Sequence, residues 1–281
     1  MKIVVVGGMN LDLLGVPTTS LLPRDSAPGR ITMRSGGVGH NIASRLRQLG
    51  ADVQLITALG NDERARLLSQ LCRDSGLDFS LSVQTDRPAP CYLCIHDEAG
   101  DMAMAVNDMS AMDELTPEVL SSRISAINEA DGCVLDANLP QNTLLYIAQH
   151  AQVPLILDPV SCAKAPRIKG IFPYLTAIKP NRLEAAALTG EKNVEKAARS
   201  LLEAGVQNVF VSLGPEGIYY ANPEASGYIP AHPLPSTPLT GAGDALCAGL
   251  TAALLEHRSI RDCAKYGIDT AYHALLRGNL S

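Results

Sequence analysis

The chain has 281 residues, 46% of them hydrophobic, and a formal net charge of −6 at pH 7. This length allows one large domain or two small ones with a sizeable core. The acidic balance argues against nucleic acid as a partner. No apolar run reaches the ~20 residues that a membrane span needs, and the apolar part of residues 1–7 is too short for a signal peptide. The seven cysteines are scattered, which is typical of reduced thiols, so we expect a cytoplasmic protein.

The first predicted element is a strand over residues 2–8, a short β-branched run that ends in Gly-Gly. Asn10 and Asp12 follow it, at the end of a strand where open α/β sheets bind ligands. The alternative is that both residues only form a turn. Residues 13–35 are rich in Pro, Ser, Thr and Arg and show no helical period, so we expect an excursion away from the core.

A second glycine cluster over residues 35–43 runs into a predicted helix over 41–49. Gly37 would let a small polar ligand lie against the backbone, and Asn41 has both a donor and an acceptor for it. No Gly-x-Gly-x-x-Gly follows the first strand, so the dinucleotide-binding fingerprint is absent. A strand over 53–59 and a helix over 62–74 come next.

Residues 79–106 predict a sheet insertion that covers a site as a lid. The predicted strands span 79–83, 91–96 and 102–106. Apolar residues alternate along this insertion: Cys91, Leu93, Ile95, Met102, Met104 and Val106. Such a face needs a partner, and we expect a homodimer in which two lids cover each other. Cys91 and Cys94 have redox spacing, but residues three apart on a strand face opposite sides, which favours plain packing.

After a helix start at Thr116-Pro117, strands and helices alternate regularly. The predicted strands are 132–136, 153–157, 175–178 and 209–213, the predicted helices are 140–150, 182–189 and 194–204, and an antiparallel edge follows at 218–221 and 227–230. Polar residues or glycine lie just past the strand ends: Asn10, Asp12, Asn138, Asp158, Asn181 and Gly214. This recurrence predicts an α/β fold with one cleft along the carboxyl edge of a mostly parallel sheet.

Residues 238–250 open a long predicted helix with small residues. The N–H groups of Gly241, Ala242 and Gly243 would point at one spot, and the helix dipole adds positive potential there. Asp244 is then placed to accept a proton from a hydroxyl that attacks phosphorus. The alternative is an ordinary helix start with Thr240 as its cap and Asp244 favoured by the dipole.

Four segments together resemble the motifs of the ribokinase-like, PfkB-type carbohydrate and nucleoside kinases. They are Gly7-Gly8-Met9-Asn10-Leu11-Asp12, Gly36-Gly37-Val38-Gly39-His40-Asn41-Ile42-Ala43, Lys179-Pro180-Asn181-Arg182-Leu183-Glu184 and Thr240-Gly241-Ala242-Gly243-Asp244. The resemblance covers nearly the whole chain. It implies a single domain over 1–281 with a three-layer α/β/α ribokinase-like core, a mostly parallel sheet, and a small β-sheet lid from insertions at about 13–35 and 79–106.

The resemblance also implies roles for individual residues. Asp244 would be the catalytic base, with Gly241, Ala242 and Gly243 around the transferring phosphoryl group. The implied substrate-binding residues are Asn10, Asp12, Gly37, Asn41 and Asn107. The implied nucleotide-binding residues are Asn181, Glu184, Ser212, Gly214, Gly217 and Thr240. The implied cofactors are ATP and Mg²⁺, the latter held by Glu184 through water; the alternative for Glu184 is a solvated helix residue.

Within the family, the segments 106–109, 115–118, 135–139, 157–161 and 179–184 are most similar to pseudouridine kinases. The reaction implied is transfer of the ATP γ-phosphoryl group to the 5′-hydroxyl of pseudouridine. Ribose, another sugar or an ordinary nucleoside is the alternative substrate, and a catalytically silent sensor is a further alternative. Lys164 would contact a phosphate or a base carbonyl, or be a plain surface lysine. Relatives usually continue beyond position 281, which leaves the adenine contacts and any K⁺ dependence open.

Overall fold

The computed structural model describes residues 1–98, 100–233 and 241–278, and contains fourteen strands within these ranges. The strands are β1 (Lys2–Val6), β2 (Asn10–Pro17), β3 (Gly29–Gly36), β4 (Asp52–Ile56), β5 (Ala58–Leu59), β6 (Val83–Gln84), β7 (Cys91–His96), β8 (Met102–Asp108), β9 (Gly132–Asp136), β10 (Leu155–Asp158), β11 (Ala177–Ile178), β12 (Asn208–Ser212), β13 (Ile218–Ala221) and β14 (Ser226–Ile229).

The same ranges contain nine α-helices. They are α1 (Val38–Gln48), α2 (Glu63–Asp74), α3 (Pro117–Ser121), α4 (Ile124–Asn128), α5 (Gln141–His150), α6 (Arg182–Thr189), α7 (Val194–Glu203), α8 (Ala242–Leu255) and α9 (Ile260–Gly278). Short 3₁₀ helices span Ser110–Glu114, Ala165–Tyr174 and Gly214–Glu216. No helix in the described part of the chain is long and apolar enough to cross a bilayer.

The central sheet has eight strands in the order β14-β13-β12-β11-β10-β9-β1-β4. The six strands from β12 to β4 pair in parallel, and β13 and β14 add an antiparallel edge. Because the carboxyl ends of parallel strands meet at one edge, the loops that follow β1, β9, β10, β11 and β12 share that edge. The prediction of a mostly parallel sheet is confirmed.

Helices cover both faces of this sheet, which makes three layers. Along β1, Val4 and Val6 pack against one apolar cluster with α3 to α7, whereas Ile3 and Val5 pack against a second cluster with α1, α2, α8 and α9. All four side chains are buried. The unbroken apolar run of β1 therefore reflects a strand covered on both faces.

A second sheet, which we call the lid, has the strand order β3-β2-β7-β8. Strand β2 pairs antiparallel with β3 and parallel with β7, and β7 pairs antiparallel with β8. The excursion over 13–35 is thus largely the hairpin of β2 and β3, whose strands the sequence did not predict. The predicted strand over 79–83 is wrong, because a strand occurs only at Val83–Gln84, paired with Ala58–Leu59.

Candidate active site

A cleft of about 920 Å³ lies at the carboxyl edge of the central sheet, beside the lid. Seven of the residues predicted to form the site line it: Asn10, Asp12, Gly37, Asn41, Asn107, Gly241 and Asp244. They come from the strand β2, helix α1, strand β8 and the start of α8. The tertiary structure therefore brings together residues that are up to 234 positions apart in the chain.

Asp12 is held from two sides. Asn10 Nδ2 donates to Asp12 Oδ1 over 2.6 Å, and Arg34 Nε on the neighbouring strand lies 3.3 Å from Asp12 Oδ2. Asn10 and Asp12 both belong to the extended strand β2, so the interpretation that they only form a turn is wrong. The carboxylate is fixed at the cleft wall, with acceptor capacity left for a hydroxyl donor.

Gly37 lies immediately before α1 and has a φ of +98°, a backbone conformation that favours glycine. A Cβ atom at this position would lie 2.6 Å from the carbonyl oxygen of Gly8 and 2.9 Å from Asn10 Oδ1. The glycine is thus required by the close approach of the segment after β1 to the start of α1. This approach positions Asn41 one helical turn further on.

Asp244 lies in the first turn of α8 and lines the cleft. Asn41 Nδ2 donates to its Oδ2 atom over 2.8 Å. Burial and the nearby carboxylate of Asp158 raise the pKa of Asp244 to about 7, although the Asn41 hydrogen bond and the charge of Lys179 act in the opposite direction. A carboxylate with this pKa can both accept and release a proton near neutral pH.

The residue before α8 is Gly241, with a φ of +84°. A Cβ atom on Gly241 would have no described protein atom within 4 Å, so it would project into open space in the cleft. The first N–H groups of a helix have no partner within the helix and favour an anion. Ala242 and Gly243 form the first turn with Asp244, whereas Thr240 lies outside the described residues.

A buried ion pair lies next to this helix start. Lys179 Nζ is 3.1 Å from Asp158 Oδ2, and both side chains are buried. Burial opposes the charge on Lys179, but the combined attraction of Asp158, Cys247 and Glu184, with the hydrogen bond to Asp158, outweighs it and raises the pKa of Lys179. A Cβ atom on Gly243 would lie 3.7 Å from Lys179 Nζ. A fixed cation therefore sits beside the N–H groups that would face an anion.

The remaining predicted residues, Asn181, Glu184, Ser212, Gly214 and Gly217, do not line the cleft but gather at the ends of β11 and β12. Asn181 and Glu184 form a capping box at the start of α6, with two reciprocal hydrogen bonds of 2.8 Å. Asn181 also forms a β-bridge with Ser212. Glu184 is only 4% exposed, so its interpretation as a solvated residue is wrong. Gly214 and Gly217 have positive φ angles in the following turn.

The side chains near Glu184 could hold Mg²⁺ only together with water and a nucleotide. Among the described ranges, no group of three or more His, Cys, Asp or Glu side chains could hold a metal ion by itself. One Glu184 oxygen accepts the backbone N–H of Asn181. Because Mg²⁺ usually keeps several waters and binds through one or two carboxylates plus substrate phosphates, the arrangement fits an ion held through water and a nucleotide.

Further residues complete the wall of the cleft or are hydrogen-bonded to it. Asp136 accepts the backbone N–H groups of Gly8 and Asn138, and Lys164 Nζ donates to Asn138 Oδ1. Lys164 is half-buried and lines the cleft, so the interpretation as a plain surface lysine is wrong. Arg34, Tyr92, Ser161 and Arg167 also line it. Arg34 lies on β3, Tyr92 on β7 and Arg167 in the 3₁₀ helix Ala165–Tyr174, and no predicted motif includes these three residues, whereas Ser161 ends the segment 157–161 named above.

Residues 1–280 match the model of the pfkB family carbohydrate kinases. The chain belongs to this family, and it is an ATP-dependent kinase of sugars or nucleosides. It is 33% identical over 273 residues to a pseudouridine kinase of Escherichia coli K12, covering 94% of this chain and 87% of the relative.

Solved structures give the same fold. A carbohydrate kinase from Agrobacterium tumefaciens superposes with a TM-score of 0.84 at 31% identity, covering 96% of this chain and 89% of that one. Ribokinase from Thermotoga maritima superposes with a TM-score of 0.86 at 27% identity, covering 96% and 91%. The predicted ribokinase-like three-layer fold with its small second sheet is confirmed.

Proposed function

We propose that this kinase transfers the γ-phosphoryl group of ATP to the 5′-hydroxyl of a nucleoside, and that the nucleoside is pseudouridine. The observation that carries the proposal is Asp244: a carboxylate with a pKa near 7, at the start of a helix, in a cleft rich in hydroxyl-binding side chains. The similarity to a pseudouridine kinase supports the choice of substrate.

The acceptor sugar is held at the lid side of the cleft. Asp12 accepts hydrogen bonds from sugar hydroxyls, and Asn10 and Arg34 keep its carboxylate in place. Asn41 has two Nδ2 hydrogens, of which one binds Asp244, and this leaves the other for a hydroxyl oxygen. Asn107 pairs with Tyr92, which pairs with Asp12, so it contacts the substrate from the same face of the lid as Asp12.

In the chemical step, the substrate hydroxyl oxygen forms a bond to the γ-phosphorus while the bond from that phosphorus to the bridging oxygen of ADP breaks. Asp244 takes the proton of the attacking hydroxyl. The N–H groups of Gly241, Ala242 and Gly243 face the transferring group, and Lys179 adds positive charge beside them. Ala242 and Gly243 belong to α8, so the helix itself directs their N–H groups.

The nucleotide occupies the ends of β11 and β12. Ser212, Gly214 and Gly217 lie along it, and Asn181 and Glu184 lie near its phosphates, while Thr240, also proposed to bind the nucleotide, is outside the described residues. When bound there, Mg²⁺ would neutralise phosphate charge, and Glu184 would hold it through water. A dependence on K⁺ is tested by comparing potassium and sodium salts.

The base of the substrate lies against the wall formed by Asn138, Ser161, Lys164 and Arg167. Lys164 and Arg167 are donors that suit the two carbonyl oxygens of a uracil ring. Pseudouridine and uridine share this ring, but pseudouridine is joined through carbon and keeps a second ring N–H. A site that bonds this extra donor rejects the analogue that lacks it by orders of magnitude.

The test is a panel of pseudouridine, uridine, other nucleosides and ribose, assayed for ADP release at equal concentration. We expect kcat/KM for pseudouridine to exceed that for uridine by at least about 10². If uridine or ribose is turned over as fast as pseudouridine, the protein is still a kinase but the assignment of pseudouridine as its substrate is wrong. No turnover of any member of the panel would support the silent-sensor alternative.

A further inference from the structure

His40 is a buried residue that lies next to the cleft without lining it. Its side chain is 6% exposed, whereas its helix neighbours Asn41 and Ser44 both line the cleft. The His40 ring contacts both neighbours: Nδ1 lies 3.1 Å from Asn41 Oδ1, and Nε2 lies 3.5 Å from Ser44 Oγ. His40 is therefore connected to the cleft through Asn41 and Ser44.

The chemistry of these contacts fixes the direction of each hydrogen bond. Asn41 Oδ1 carries no hydrogen and can only accept, so His40 Nδ1 must carry the proton. His40 Nε2 is then free to accept from the Ser44 hydroxyl. Burial lowers the pKa of His40, against the opposing effects of the Asn41 hydrogen bond and the charge of Asp12, so the ring is neutral near pH 7.

The orientation of the Asn41 amide is fixed independently by Asp244, because an ionised carboxylate can only accept hydrogen bonds. With Oδ1 on His40, Nδ2 points at Asp244 and donates to its carboxylate over 2.8 Å. A rotated amide would place Oδ1 against the Asp244 carboxylate and Nδ2 against the Nδ1–H group of His40. Both contacts would be repulsive, because the first would bring two acceptors together and the second two donors.

We propose that His40 is a positioning residue for the catalytic base: by donating to Asn41 Oδ1, it holds the Asn41 NH₂ group on the ionised Asp244 carboxylate. The inference rests on the proposed function, in which Asp244 is the base. Other charged groups also act on Asp244, namely Asp136 at the end of β9, Asp158 at the end of β10 and Lys179 after β11. They act through their charge, whereas His40 acts by orienting the amide that touches the carboxylate.

Loss of the His40 donor has a defined consequence for the pH profile. The Asn41 hydrogen bond stabilises the ionised form of Asp244, so a loosely held amide raises the pKa of the base. We expect the acid limb of the kcat profile to move to higher pH by about 0.5–1 unit, since one unit is a tenfold change in the ionisation ratio. Below pH 7 this lowers kcat about 3–10-fold.

Three substitutions separate the effect of the hydrogen-bond donor at His40 from the effect of the size of its ring. His40→Asn places an amide NH₂ near the position of Nδ1, His40→Gln places it near Nε2, and His40→Leu has no donor. We expect the acid limb to shift in His40→Leu and His40→Gln and to stay in place in His40→Asn, with the KM for the nucleoside within about twofold throughout. His150→Leu, an exposed histidine on α5, is the matched control and should leave the profile unchanged.

Several results would overturn the inference. An unshifted acid limb in His40→Gln is one, and it decides the matter even if His40→Leu fails to fold. An equal shift in His40→Asn and His40→Gln is another, because it would make ring size the cause. A change in KM alone would indicate substrate binding instead.

A second measurement does not depend on turnover. The ¹⁵N chemical shifts of the His40 ring in the protein without substrate should show protonated Nδ1 and unprotonated Nε2. The opposite tautomer would overturn the inference whatever the activity. Full activity of Asp244→Asn would overturn the assignment of Asp244 as the base in the proposed function. The ¹⁵N shifts of the His40 ring test only the positioning role of His40, so the two failures can be told apart.

Discussion

Asp244 combines a raised pKa with a position in the first turn of α8, and a conservative substitution separates its catalytic role from a structural one. Asp244→Asn keeps the shape of the side chain and removes its proton affinity. We expect kcat to fall by roughly 10²–10⁴, with the dissociation constant of the nucleoside changed only a few-fold. Stopped assays and calorimetry measure the two quantities. Near-wild-type kcat would leave only the structural role at a helix start.

The same substitution should stabilise the protein without substrate at alkaline pH. The folded-state pKa of about 7 is above the ordinary value of 3.8, so folding disfavours the ionised form. The stability advantage of the protonated group is present below about pH 4 and is lost as the pH rises through 7. The melting temperature of Asp244→Asn should therefore exceed that of the wild type at pH 8 and approach it at pH 4. Each kcal/mol of added unfolding free energy should raise the melting temperature by about 2–4 °C. An equal difference at both pH values would contradict the assignment.

The raised pKa also predicts the pH dependence of the wild-type enzyme. The base works in its ionised form, so kcat should fall tenfold per pH unit once the pH is well below 7. Initial rates between pH 5 and 9 at saturating substrate measure this. A flat profile down to pH 5 would place the Asp244 pKa in its ordinary range.

Lys179 and Asp158 form a buried pair whose members depend on each other. Lys179→Met leaves the Asp158 carboxylate buried without its partner, which costs about 3–5 kcal/mol of unfolding free energy. In the double variant Lys179→Met with Asp158→Leu, neither member of the pair is left buried without its partner, so we expect most of the stability to return. Urea unfolding measures both variants. The double variant should still be a poor kinase, because Lys179 also places positive charge beside the anion site.

At the scale of elements, the start of α8 is defined by one glycine. Gly241→Ala puts a Cβ atom into the open space that the proposal assigns to the transferring phosphoryl group. It also costs about 1–2 kcal/mol, because φ is +84°. We expect kcat to fall at least about tenfold, since loss of a single oxyanion donor costs 10²–10³.

Gly190→Ala is the matched control for this substitution. Gly190 ends α6 with a φ of +82°, and a Cβ atom there also meets no described atom within 4 Å. Gly190→Ala therefore has the same conformational cost as Gly241→Ala. Gly190 lies at the end of α6 opposite Asn181, away from the proposed nucleotide site. Equal losses of kcat in the two variants would attribute the effect to backbone strain rather than to the site.

At the scale of the whole molecule, the lid has one apolar face that the described residues leave uncovered. Two rows of residues cross the four strands, Met33-Leu13-Leu93-Val106 and Ile31-Gly15-Ile95-Met104. Ile31, Met33, Met104 and Val106 are each more than half exposed, whereas Cys91, predicted to share this face, is buried. Such a face needs a partner, and we propose that it is the lid of a second copy.

A charge on this apolar face tests the assembly. We expect Val106→Glu to turn a homodimer into single chains, because each copy would bury a carboxylate without a partner. Leu22→Glu is the control, since Leu22 is equally exposed but lies between β2 and β3, outside the sheet. Light scattering at micromolar concentration measures the mass. A wild-type mass equal to one chain would rule out the proposed dimer.

Local signals in the sequence determined many elements and their ends. Helix α6 has the predicted bounds because Asn181 caps its start and Gly190 adopts the left-handed conformation at its end. Strands β9 and β13 also have the predicted bounds. The polar residues after successive strands correctly indicated a cleft at this edge of the sheet, because the carboxyl ends of parallel strands must share an edge. Of the six residues, Asn10, Asp12 and Asn138 line the cleft, whereas Asp158, Asn181 and Gly214 do not.

Only the tertiary structure decided the features that depend on distant partners. Strands β2 and β3 escaped prediction because their stability comes from pairing with each other and with β7, about 80 residues further on. The same holds for the Lys179–Asp158 pair, for Arg34 on Asp12, and for the chain of contacts from His40 to Asp244. Residue spacing within one element indicates which side chains share a face, but the meeting of side chains from different elements is set by how those elements pack.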